Sequence, residues 1–371
     1  MDGIDIRALA LGAAFALGIG FGGIARWSAF CVRGAVEDVL TKPDAPRLRG
    51  YLLALVVALV GTQALAACGI VDIGKSIYLT GALPLGGALL GGLMFGVGMV
   101  LAGGCGGRLL VLAAGGNLRS LIVLMVMGLA AYATLRGILA IPRQSLAAAT
   151  GIEPKALGLA DQGLGTLLAA RTGLSNDSAR WLAVVLLVVP ALAFVARRRV
   201  AARHLVGGAL IGAFVVAGFA VTGWLGNDEF QPLPVESLTV TGPVAQTIVY
   251  ALTYTGSTLD FGIAVTLGIP LGAFLVAALR GELRLQGFEN ANQTARYLLG
   301  GVLMGVGGVL SMGCTIGQGL TGVATLSMGS FAAILAIFSG AAPALSWTRV
   351  AAALRAARGT SDEALAAVSH L

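Results

Sequence analysis

The chain has 371 residues, 57% hydrophobic and 11% charged, with 56 glycines and a formal net charge of +7. A soluble domain carries about a quarter charged residues, so this composition excludes one and points to helices in lipid. The basic residues sit in short loops beside apolar runs, without interleaved aromatics, so no nucleic-acid partner is expected.

Nine apolar stretches, each near the ~20 residues that cross a bilayer, are predicted in chain order. They fall at 8–30, 51–70, 82–104, 120–140, 181–196, 205–225, 262–279, 297–313 and 329–348. The first follows Asp2, Asp5 and Arg7 rather than a basic leader and has no small-residue cleavage pattern, so it reads as a retained span. The connection 142–180 mixes both charges and reads as surface helix and loop. The loops 41–50, 197–203 and 280–296 are basic, as is the tail with Arg349, Arg355 and Arg358, whereas 226–237 has acids and no base. Placing basic loops in the cytoplasm puts the N-terminus outside and the C-terminus inside.

Two of these stretches repeat one another. Residues 90–105, "LGGLMFGVGMVLAGGC", align without a gap with 299–314, "LGGVLMGVGGVLSMGC", and both end on Gly-Cys. Strict alternation makes the two copies antiparallel, the mark of an inverted-repeat transporter with its site near the midplane. The predicted fold is therefore an all-α polytopic membrane protein of about nine spans, with a pseudo-twofold axis and re-entrant half-helices. Residues 1–180 form one repeat and 205–348 the other. A linking span and basic loop occupy 181–204, and 349–371 is a cytoplasmic tail.

Weaker copies occur at 11–31, ending on Cys31, and at 206–223, which has the opening Gly-Gly and no cysteine. The stretches after Cys31, Cys105 and Cys314 are too short to span, so each cysteine is expected to cap a broken helix. Irregular backbone survives at membrane depth only when buried in protein or lining a watery cavity. Gly103, Gly104, Gly106, Gly313 and Gly317 are the expected break glycines, since glycine admits unusual dihedrals and close backbone approach.

The N-terminus of a half-helix offers unpaired N–H groups and partial positive charge, which suit an anion and activate a thiol. Arg26 and Arg33 flank Cys31, and Arg108 follows Cys105, as anion-attracting cations. Around Cys314 the polar groups are neutral: Thr315, Gln318 and Thr321. The competing structural readings are that Arg108 snorkels to the interface and that Arg33 merely pairs with Glu37. Cys68 reads as a small hydrophobe. With no CxxC pair and only His204 and His370 as imidazoles, no metal or cofactor is expected.

The segments 22–35, 96–110 and 304–327 resemble the YeeE/YedE sulfur-transport family, bacterial inner-membrane proteins whose characterised members take up thiosulfate. The resemblance covers nearly the whole chain apart from 142–180 and the tail. It implies three essential thiols along a substrate path, here Cys31, Cys105 and Cys314, with Cys68 having no counterpart. It further implies weak S–H···S contacts to the terminal sulfur of thiosulfate, without a lasting covalent bond. Other members are associated with selenium compounds, and some work with a small cytosolic TusA-like sulfur-carrier protein. The expectation is a permease, not an enzyme, for thiosulfate or a similar sulfur oxyanion. The alternatives are a membrane sulfurtransferase forming a cysteine persulfide, and a selenium-compound transporter.

Overall fold

The computed structural model describes residues 6–227 and 232–369, with side chains through Val350 apart from Leu157. In chain order the helices are α1 (Ile6–Ser28), α2 (Val32–Thr41), α3 (Pro46–Ala67), α4 (Leu85–Leu101), α5 (Gly106–Ala114), α6 (Leu118–Leu135) and α7 (Ala140–Thr150). They continue as α8 (Leu164–Thr172), α9 (Asn176–Ala196), α10 (Ala202–Ala220), α11 (Thr241–Leu252), α12 (Phe261–Leu279), α13 (Ala291–Leu310) and α14 (Met328–Ser369). One short antiparallel pair, β1 (Leu83–Pro84) with β2 (Gly151–Ile152), joins two connecting segments.

All nine predicted stretches are helical, and eight segments among the described residues are long and apolar enough to cross a bilayer. The ninth, α13, is less apolar because its first turns carry Asn292, Gln293, Thr294 and Arg296. It packs against both α4 and α6 all the same. Leu129, Leu186 and Val189 are more than half exposed, whereas Thr62, Gln63 and Ser311 are buried. Apolar outside and polar inside is the arrangement lipid demands, and the chain is an all-α polytopic membrane protein.

Glycine decides the helix crossings. A Cβ at Gly91 would lie 2.6 Å from the Gly307 carbonyl oxygen, and one at Gly98 would lie 2.7 Å from that of Gly300. As α4 advances α13 recedes, so these related helices are antiparallel. Gly22 meets Ile269 and Gly18 meets Val265, which makes α1 parallel to α12. Gly208 meets Gly50 and Gly212 meets Ala54, which makes α10 parallel to α3.

The other contacts exchange in the same way. α4 packs on α14 as α13 packs on α6, and α2 on α14 as α11 on α6. This is a twofold relation with inverted chain direction. Small residues let the backbones approach, because lipid supplies no hydrophobic drive between helices.

The helices also sort the connections onto two faces. On one, the Arg49 guanidinium donates to the carbonyls of Phe194 and Val195, Arg198 pairs with Asp44 at 3.6 Å, and Leu118 N–H bonds Gln286 O at 3.0 Å. The basic loops 41–50, 197–203 and 280–296 therefore share this basic face. On the other face Arg7 donates to Leu259 O, and Leu164 N–H bonds Leu326 O at 2.8 Å.

The chain is interrupted after α1, α4 and α13, as expected, with one correction. Among the predicted break glycines only Gly103, at φ +80°, bears a left-handed conformation clear of the extended region. At the other breaks it falls on Ala29 (φ +53°) and Met312 (φ +58°), where a Cβ costs about 1–2 kcal/mol. Gly104, Gly106, Gly313 and Gly317 serve close approach instead. A Cβ at Gly106 would lie 3.2 Å from Val240 Cγ1, and one at Gly313 would lie 3.1 Å from Gln318 Cγ. Met312→Gly is thus expected to stabilise the fold by up to about 1 kcal/mol after glycine's own entropy cost. A thermal melt in detergent reads this, and a lowered melting temperature would contradict the strain at Met312.

Candidate functional site

Half-helices begin at the interruptions. α2 starts after Cys31, α5 after Cys105, and a π-helical turn, Gly317–Gly322, just after Cys314. A fourth, α11, starts after Val240 and was not anticipated. Its signal lay in "TGPV" at 241–244, because proline is tolerated in a first helical turn. α10 and α11 hold the place in the second half that α1 and α2 hold in the first, so Val240 stands where a fourth thiol would fall.

The four N-terminal ends converge. A Cβ at Gly107, on α5, would lie 2.6 Å from Ile316 Cδ1, beside Cys314, and Gly106 faces Val240. Each brings the positive end of its helical turn toward one small region, a field suited to an anion. Cys105 and Cys314 are buried and Cys31 is half-buried. Cys31 Sγ accepts the Gly34 N–H at 3.3 Å, and Cys314 Sγ accepts the Gly317 N–H at 3.5 Å. Cys105 lies close enough to both other thiols to interact with them electrostatically. Cys68, by contrast, is exposed at the end of α3.

The neutral residues divide by role. Thr315 is fully buried, and its hydroxyl faces the Cys105 thiol with no oxygen or nitrogen partner among the described residues. Gln318 is committed to the break. Its Nε2 donates to Ser311 O and its Oε1 accepts from Ser330, so it holds the Cys314 loop. Thr321 donates to Leu238 O at 2.6 Å and Tyr51 to Gly319 O at 2.9 Å, pinning the same turn from α3 and the 232–240 segment. Tyr51 also lies near Cys105 and Cys314, and Tyr78 near Cys314. Neither tyrosine was singled out from sequence.

The arginines differ in their partners. Arg26 Nη2 pairs with Glu282 at 2.9 Å, and Arg33 shares Glu37 with Arg47, at 3.7 and 3.5 Å. Arg108 has no carboxylate partner among the described residues, and its Nη1 is buried without a hydrogen bond. On the other face burial pushes the Glu236 carboxyl up to about 7, the charge of Asp260 adding to it.

A carboxyl whose pKa rises on folding stabilises the protein only while both states are protonated. That stability is full below about 4.5 and is lost as pH climbs toward 7. Chemical denaturation in detergent should therefore show about 1–2 kcal/mol less stability from this group at pH 8 than at pH 4.5, discounted for partial exposure. Glu236→Gln removes that slope, and an unchanged slope in the variant would contradict the assignment.

These features match known proteins along most of the chain. The family described as sulphur transport matches residues 27–342. The thiosulfate transporter TsuA of Escherichia coli strain K12 is 27% identical over 313 residues, covering 80% of this chain and 83% of that protein. The thiosulfate transporter TsuA of Spirochaeta thermophila is 26% identical over 327 residues, covering 87% and 94%. An inverted bundle whose broken helices bring three thiols together, matched over this length, belongs to the sulphur-transport family.

Proposed function

We propose that the protein is a bacterial inner-membrane permease that imports thiosulfate, handed along Cys105, Cys31 and Cys314 by weak sulfur contacts. The convergence of three thiols on half-helix N-termini carries this reading. The helix ends suit the oxyanion part of the solute and the polarizable sulfurs suit its terminal sulfur. The names of the relatives support the substrate.

The orientation belongs to the same proposal. The basic face is cytoplasmic, the N-terminus periplasmic and the C-terminus cytoplasmic. Residues 1–180 and 205–348 act as the two moving or facing halves, with 181–204 between them and 349–371 as tail. A small TusA-like carrier on the basic face is a compatible receiver of the imported sulfur. An inside-negative potential opposes a dianion by ~2.3 kcal/mol per charge per 100 mV, so consumption of the solute inside must offset it.

Labelled thiosulfate uptake into proteoliposomes, with intact mass measured on the same protein, tests the reading against a persulfide-forming sulfurtransferase. Saturable uptake with unchanged mass is expected. A stable added sulfur on Cys31, Cys105 or Cys314, without net uptake, would replace the permease by the enzyme. Competition by sulfite, sulfate and selenite separates sulfur from selenium substrates.

A further inference from the structure

On the basic face a cavity of about 320 Å³ opens between the ends of α1, α5 and α10 and the loop after α12. Five arginines line it, Arg26, Arg108, Arg203, Arg280 and Arg284, against one carboxylate, Glu282. That carboxylate is already shared, with Arg26 at 2.9 Å and Arg280 at 3.8 Å. Arg108, Arg203 and Arg284 have no acidic partner among the described residues. Arg203 and Arg284 stand exposed at the rim, and Arg108 reaches in from the first turn of α5, three residues from Cys105.

The imbalance of five arginines against one carboxylate decides what the cavity is for. The Arg108 Nη1 beside it lacks any acceptor among the described residues. Three guanidinium groups without a carboxylate, gathered around one cavity, are stabilised by a solute that brings anionic oxygens to it. Planar guanidinium forks match tetrahedral oxyanions in two-point contacts, which lysine cannot do. The volume holds roughly ten waters at about 30 Å³ each, ample for a small oxyanion with part of its shell.

We propose that this cavity is a separate binding site for a doubly charged tetrahedral oxyanion, and that its occupancy slows solute leaving the thiol junction. It rests on the permease reading for its effect on transport, but its binding requires no thiol. Sulfate is the probe, since it carries the charge and shape of thiosulfate without the terminal sulfur.

The full-length Cys105→Ala/Cys314→Ala protein should still bind labelled sulfate saturably, and sulfate should change the fluorescence of Trp27, which lines the cavity. Trp27→Phe removes the signal. Arg203→Gln/Arg284→Gln weakens binding at least tenfold, and because both residues are exposed this pair is the variant least exposed to misfolding. In proteoliposomes, sulfate trapped on the basic side should slow thiosulfate entry several-fold, less so in the arginine variant. An isotherm indifferent to the arginines, one matched by chloride at equal ionic strength, or uptake indifferent to trapped sulfate would each overturn the proposal. Sulfate binding without any thiosulfate uptake would instead sink the permease reading and leave the site standing.

Discussion

Cys314→Ala and Cys105→Ala are each expected to lower thiosulfate uptake by about 10- to 100-fold, with Cys68→Ala unchanged. The size follows from losing one contact to a charged solute, about 1.5–3 kcal/mol, where each 1.4 kcal/mol is tenfold. Both thiols are buried at the start of a half-helix, and Cys314 Sγ accepts the Gly317 N–H. At Cys314 alanine therefore removes a cap as well as a sulfur. Serine separates the two, because its hydroxyl caps a helix well but is hard and small. If Cys314→Ser transports like wild type, the sulfur is only a cap and the relay is wrong. If it folds like wild type and transports like the alanine variant, sulfur chemistry is the cause.

The second large effect concerns packing. Gly91→Leu should cost about 3 kcal/mol or more of stability and most of the uptake, whereas Gly12→Leu should be close to neutral. At Gly91 the first added atom already lies 2.6 Å from both Gly307 O and Ser311 N, which are backbone and cannot rotate aside. At Gly12 nothing lies within 4 Å. Overpacking a flexible interior costs about 1–3 kcal/mol, and rigid backbone raises that. Separating α4 from α13 also moves Cys105 and Cys314 apart, since each closes one of these helices. Thermal stability in detergent and uptake should fall together. A Gly91→Leu protein as stable as Gly12→Leu would show that the crossing is looser than its geometry.

Much of this was legible in the chain itself. Bilayer thickness and the need to satisfy every backbone group leave few solutions for a run such as 82–104, so span, break and half-helix follow from apolar length and Gly-Cys alone. The repeat of 90–105 at 299–314 likewise implied inverted halves, because alternation sets direction.

What the sequence could not supply are partners distant along the chain. Arg26 stood beside Cys31 by number, yet it pairs with Glu282, brought in by the parallel packing of α1 on α12. Gln318 reads from sequence only as a neutral polar group near Cys314, and Ser311 and Ser330, which hold the two ends of its amide, appear only in the fold. The fourth half-helix carries no cysteine and only the faint signal of Pro243, so its packing on α6 and α12 is what gives it its place opposite α2. Local rules on length, polarity and backbone satisfaction determined the spans and their interruptions. Which side chain meets which was decided by helix crossings, and those depend on glycine contacts between residues hundreds of positions apart.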